Sequence, residues 1–307
     1  MKTLQKKTIP FESKFGSVTQ NEVILNEKTI QSLRDYGQQE IGIVTKDMIV
    51  IDGNRRASLL SKIFREDKKI NYFKAVILPD NLNENQLEII KLETNYQMGV
   101  DNKVEYKPIE KYLRCKELVY DFKIDINEVS KLMSEKVSRI NQWLDILKLM
   151  EEYLDYLKSP NVYTRLDKTE GHFVDLYNYL NKYKSAGVAD IDQLKKVYFD
   201  YIRLGLPVQR LRIIGNPNNS MSLFSRKDYW NTFYERHLDI TRDYTEKNFN
   251  NLKEEHIDKS NEEIFNKLDY DFKTNLDEDL KDNLVSGEIY IKNQHEKKST
   301  LKELNRI

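Results

Sequence analysis

Two adjacent arginines, Arg55 and Arg56, follow an Asp52-Gly53-Asn54 turn in this chain of 307 residues. The apolar run Met48-Ile49-Val50-Ile51 precedes the turn, and Ala57-Ser58-Leu59-Leu60-Ser61-Lys62-Ile63-Phe64 follows it. A strand that passes through a glycine turn into a helix start is a natural anion site. The first helical N–H groups have no partner within the helix, and the positive end of the helix dipole lies there. Two guanidinium groups add forked hydrogen bonds that match phosphate. The pattern points to a phosphorylated ligand, with Gly53, Asn54, Arg55 and Arg56 as its candidate binding residues. An ordinary strand-to-helix turn carries the same residue types, so the motif needs its context.

That context begins with the elements that must position the arginines. Asn26 to Gly37 reads as a short helix with Gly37 as its stop signal. Ile41 to Thr45 and Met48 to Ile51 read as strands around a Lys46-Asp47 turn, and Lys74 to Leu78 as a third strand closed by Pro79-Asp80. Strand, helix and strand at this spacing predict a small α/β layer. From residue 83 the pattern turns helical. Asn83 to Asn95 carries Leu87, Ile90 and Leu92, and Lys107 to Phe122 has Pro108 at a first helical position.

A compact pair of helices comes next. Asp125 to Leu132 is joined through Met133-Ser134-Glu135 to Lys136 to Leu147. Val137, Ile140, Leu144 and Leu147 recur every three or four residues, which leaves Lys136, Ser138, Arg139, Asn141 and Gln142 to face outward. The lengths fit a helix-turn-helix, whose second helix enters a DNA major groove. Arg, Asn and Gln read guanine and adenine edges with paired hydrogen bonds. A polar helical hairpin in a bundle fits the same spacing.

Beyond residue 150 the chain is Tyr-rich and helical up to Leu204-Gly205-Leu206-Pro207, where the pattern breaks. Arg210 to Gly215 reads as a short strand or turn, and residues 226–245 resume helix. After residue 246 the sequence is rich in Asn, Lys, Asp and Glu, with sparse anchors at Ile257, Ile264, Phe265, Leu268 and Leu280. This reads as a marginal helical segment or a partner-binding tail. The segments expected are therefore 1–82, 83–150, 151–245 and 246–307.

Composition bounds the function classes. Charged residues make up 33% and hydrophobic residues 39%, and the formal net charge is +0. That excludes nucleic-acid binding by bulk charge alone. Residues 246–307 hold 11 Lys and Arg against 15 Asp and Glu, which leaves 39 against 35 for residues 1–245. The single cysteine, Cys115, forbids an internal disulfide and fits a reducing compartment. No apolar run approaches the roughly 18 residues of a membrane span, so a cytoplasmic protein without a membrane partner is expected. His172, His237, His256 and His295 lie at no metal-ligand spacing. Trp143 and Trp230 read as core anchors, and Arg203, Arg210 and Arg212 as either a phosphate-facing patch or a solvated face.

The order of these parts resembles the ParB/sulfiredoxin-like N-terminal domain followed by the ParB-type helical DNA-binding domain. Leu33 to Val44 with Gly37-Gln38, the Gly53-Asn54-Arg55-Arg56 box, Glu93-Thr94-Asn95-Tyr96-Gln97 and Pro108-Ile109-Glu110 carry the resemblance, which covers residues 8–150. It implies an α+β N-terminal domain with a small mixed sheet and helices, followed by mostly α-helical domains. It also implies a nucleoside triphosphate site for CTP or ATP. Arg55 and Arg56 would hold phosphates, and Gly53 would allow close backbone approach. Asn95 and Gln97 would complete the second box. Glu93 would be the candidate catalytic acid, and Glu93 with Asn95 the Mg²⁺ ligands. Lys136, Ser138, Arg139, Asn141 and Gln142 would face double-stranded DNA, in a homodimer. The family's second box ends in Gln-Arg, whereas Gln97 is followed here by Met98, which separates binding from hydrolysis. Residues 150–307 do not resemble the partition proteins' C-terminal dimer domain.

Three functions follow as expectations. The first is a nucleotide-responsive DNA-binding protein of a phage, plasmid or defence island. The second is an enzyme on the same scaffold, a nuclease or a nucleotide-dependent phosphotransferase, using Glu93 and Asp52. The third is a scaffold or adaptor that meets a protein partner through the C-terminal region.

Overall fold

Short β-branched runs build a three-stranded sheet, and amphipathic repeats build the helices around and after it. The structure, a computed structural model, describes residues 20–46, 48–68, 72–78, 86–98, 107–218 and 222–304. The N-terminal residues, Asp47, Pro79-Asp80 and the start of the helix expected from Asn83 lie outside the described residues.

Helix α1 (Gln20–Tyr36) ends at Gly37, whose N–H reaches the Leu33 carbonyl at 3.1 Å. Strands β1 (Gly42–Val44), β2 (Val50–Asp52) and β3 (Ala75–Ile77) form one mixed sheet in the order β2-β1-β3. Strand β1 runs antiparallel to β2, with Ile43 opposite Asp52, and parallel to β3, with Ile43 opposite Val76. Helix α2 (Asn54–Asp67) leaves the end of β2 and buries Leu59, Leu60 and Ile63 against Leu33 of α1, with Ile30 and Phe73 packed alongside. At roughly 1.5–3 kcal/mol per fully buried aliphatic side chain, this cluster fixes the start of α2 relative to the sheet.

Helix α3 (Gln86–Met98) packs on β2 and on α5 (Ile126–Leu132). Helix α4 (Pro108–Lys116) starts at Pro108 as the sequence predicts, and Glu110 returns to cap the Lys107 N–H at 2.9 Å. A π-helical turn, Glu117–Asp121, continues it. Helix α6 (Val137–Tyr156) follows the α5 turn.

The chain divides into two compact units, residues 1–144 and 145–307, with the boundary inside α6. This division is coarser than the four segments drawn from composition. The second unit is entirely helical among its described residues: α7 (Glu170–Ser185), α8 (Ile191–Arg203), α9 (Val208–Gly215), α10 (Lys227–Thr241), α11 (Phe249–Glu255) and α12 (Asn261–Leu304), with a single 3₁₀ turn at Tyr163–Leu166.

One reading of this unit is corrected, and for the C-terminal region the helical alternative holds while one expected anchor does not. Arg210 to Gly215 lies in helix α9 and is not a strand, because Pro207 opens a helix that buries Leu211 and Ile214. The C-terminal region is a 44-residue helix with a packed stripe at Ile264, Leu268, Phe272, Leu276, Leu280, Leu284 and Ile291, whereas Ile257 is 82% exposed and anchors nothing. No helix of the described residues is long and apolar enough to cross a membrane.

Candidate functional site

The arginine box sits where β2 becomes α2. Gly53 has φ +90°, a left-handed conformation that a side chain would strain. Its position is also tight. A Cβ there would come within 3.0 Å of the Phe73 ring and 3.3 Å of the Arg56 guanidinium. Gly53 serves as the helix N-cap and supplies no side chain to the free N–H groups, and the first turn of α2 holds no acidic residue. The start of the helix therefore keeps its unsatisfied donors and its positive dipole end.

The two arginines differ. Arg55 is partly buried and forms no ion pair among the described residues. Arg56 is held between two carboxylates. One Nη donates to Glu40, in the loop after α1, and the other lies 3.6 Å from Asp52 Oδ2. That loop is clamped in turn. The buried Gln38 carboxamide accepts from the Lys74 N–H at 2.6 Å and donates to the carbonyls of Lys74 at 2.7 Å and Glu40 at 2.8 Å.

The second box lies on α3, against β2. Glu93 is engaged by the buried Arg114 of α4 at 3.4 Å, and Arg114 also meets Glu117 at 3.0 Å. Thr94 is buried, and its hydroxyl donates to the Ile90 carbonyl at 2.7 Å. Asn95 is exposed, and the Gln97 side chain lies outside the described residues. Glu93 and Asn95 are two apart on a helix and project roughly 200° from each other. They do not converge on one ion, so this pair does not fit the Mg²⁺ site expected of it. Among the described residues no cluster of three His, Cys, Asp or Glu side chains has metal-binding geometry. Met98, which follows Gln97, is 2% exposed. Here that position is part of the core.

The helix pair starts where the sequence predicts, but its second helix does not end at Leu147: α6 continues to Tyr156, because Leu149, Met150, Tyr153 and Leu154 extend the buried stripe. The Asp125 side chain caps α5 by accepting from the Asn127 N–H at 2.9 Å. The Asn127 side chain and backbone donors, in that order, hold the Asp125 carboxyl below its usual range. Ser134, with φ +54°, turns the chain into α6. Ile140, Trp143 and Leu144 face inward, with the Trp143 ring 5.7 Å from that of Tyr112. Lys136, Ser138, Arg139 and Asn141 are exposed and Gln142 is partly so, and Arg139 donates to Gln142 Oε1 at 2.9 Å. Ser138, Arg139, Asn141 and Gln142 lie off the buried Ile140-Trp143-Leu144-Leu147 stripe but spread over roughly 160° of α6, and Lys136 precedes the helix.

Other residues take structural roles. Cys115 is fully buried 3.2 Å from the Met133 sulfur, and burial pushes its thiol up to about 12, away from nucleophilic chemistry. The three arginines of the second unit form no joint patch. Arg203 is buried on Glu246, Arg210 pairs with Glu288 at 3.0 Å and Arg212 with Asp175 at 2.8 Å. Sequence reasoning missed a buried cluster in which Asp200 accepts from the Tyr156 hydroxyl at 2.7 Å and pairs with His237 Nε2 at 2.8 Å. Only an acid, a histidine and a tyrosine far apart in sequence signalled it. No family model and no curated protein matches this chain.

Proposed function

We propose that this is a ParB-like, nucleotide-responsive DNA-binding protein that takes CTP or ATP at the arginine box and double-stranded DNA on the open side of α6. One observation carries the reading. The left-handed Gly53 turn delivers two arginines to a helix N-terminus that has neither a side-chain cap nor an acid in its first turn. Helix α3 supplies the link. It packs on β2, whose end bears the box, and reaches α5 through Lys91, which is 2.7 Å from Glu128. A ligand that favoured one placement of α3 would bias the helix pair, as any population shift requires.

Binding carries this proposal better than catalysis does. Asp52 is ion-paired with Arg56 and Glu93 with Arg114, so neither offers a free carboxylate for an enzyme. The reading includes a homodimer, implied by the family resemblance, a cytoplasmic setting, expected from the single cysteine and the lack of a long apolar run, and a protein partner for the acidic C-terminal region. Calorimetric titration with CTP, ATP, GTP and ADP, with and without duplex DNA, tests it. A triphosphate is expected to bind and to change the duplex affinity, and the duplex affinity should fall with salt. Absence of both triphosphate binding and salt-sensitive duplex binding would reject the proposal.

A further inference from the structure

The positive charge of the box is already half engaged within the protein. Arg56 has a side chain 18% exposed and lies between Asp52, on the rigid end of β2, and Glu40, whose side chain is 52% exposed. Glu40 is placed there by construction. Gln38 spends its carboxamide on both main-chain groups of Lys74 and on the Glu40 carbonyl, so the loop from Gly37 to Ile41 is pinned beside β3. The Gly42 N–H adds a further bond to the Lys74 carbonyl at 3.0 Å. A pinned backbone with an outward carboxylate is the arrangement of a local counter-ion.

We propose that Glu40 is a built-in counter-anion of the arginine box, holding Arg56 until a phosphate group of the ligand displaces it. The inference rests on the reading of the box as an anion site. Of the two carboxylates, Glu40 is the one that yields. The short Asp52 side chain sits one methylene from a paired strand and is 38% exposed, whereas the longer Glu40 side chain is 52% exposed and has more room to swing into solvent. A polyphosphate brings several negative charges to the start of α2, repels both acids and offers Arg56 and Arg55 forked acceptors. A singly charged anion offers too little to compete. The counter-anion thus sets a threshold that favours polyphosphates over small anions.

Glu40→Gln tests this with two readouts. Calorimetry with CTP and with ATP should show binding about two- to five-fold tighter than in the unaltered protein, the size expected for losing a partly exposed competing ion pair. Without nucleotide, phenylglyoxal followed by peptide mass spectrometry should modify Arg56 faster in Glu40→Gln, with Arg55 unchanged. Equal nucleotide affinity, or equal Arg56 modification, overturns the counter-anion role and leaves the box reading standing. If neither protein binds a triphosphate, and neither arginine is protected by one, the box reading fails and the inference falls with it.

Discussion

Arg203 offers the sharpest test of what holds the second unit together. Its side chain is 3% exposed, and it forks onto Glu246, itself only 10% exposed. It also donates to the Leu268 carbonyl at 3.2 Å and lies 4.0 Å from the centroid of the Phe272 ring. Arg203→Met keeps much of the apolar contact but leaves the Glu246 carboxylate buried without its cation. Stranding one member of a buried pair costs about 3–5 kcal/mol. Adding Glu246→Leu removes the stranded charge, and a doubly apolar replacement is close to neutral. The neighbouring Asp269 keeps Arg165 at 2.5 Å in both variants. Urea unfolding followed by the fluorescence of the buried Trp230 reports this unit, provided Trp143 of the first unit is replaced by Phe. With a slope on the order of 2–3 kcal/mol per molar, the midpoint of Arg203→Met should fall by about 1–2 M, and the double variant should recover most of that loss. A single-variant shift below about 0.3 M, or a double variant as unstable as the single, would refute the reasoning.

Three further outcomes are expected. Gly42→Ala places a Cβ 2.3 Å from the Phe73 ring and 2.8 Å from the Asp52 carbonyl. The backbone oxygen cannot yield as a side chain can, so the first unit should lose about 1–3 kcal/mol in denaturant unfolding, and an unchanged midpoint would show that the contact relaxes freely. The depressed Asp125 carboxyl contributes stability that is present above its unfolded pKa and is lost as pH falls through its lower folded value. Acid titration of the helix pair's unfolding should therefore show a loss in that acidic window that is absent in Asp125→Asn, and identical profiles would remove the cap from the account. On duplex DNA, Lys136→Ala should reduce the salt slope by about 1, whereas Arg139→Ala should cost about 1–3 kcal/mol on a preferred sequence and relax its specificity. If neither change alters duplex binding, α6 is not the DNA-facing element.

Much of the first unit was legible because its signals are local. Gly37 ends α1 and Pro108 opens α4 where the residue types alone place them, since caps and breakers act within a few residues of themselves. The second unit was less legible. Arg210 to Gly215 alternates charged and apolar residues like a strand, and only burial of Leu211 and Ile214 in a helical bundle decides against that reading. The 44-residue α12 read only as a marginal helix or a tail because its stripe advances mostly four residues at a time through a very charged sequence. Phe272, Leu276 and Leu284 join that stripe only when all of its positions are laid on one helix.

The site shows the same division, and the second box shows where its reading went wrong. Gly53, Arg55 and Arg56 are neighbours, and one turn places them together at the start of α2. Glu40 and Gln38 were invisible as site residues because a loop clamp depends on Lys74, 36 residues from Gln38. Glu93 and Asn95 were grouped by the family resemblance, yet the segment was itself read as helix. Helical phase separates residues two apart, so that reading already denied them a common ligand. The partner that Glu93 does have, Arg114, lies on another helix and is fully enclosed. Proximity along the chain brings side chains together where the backbone turns, as at Gly53. On a helix, phase decides which neighbours can act together.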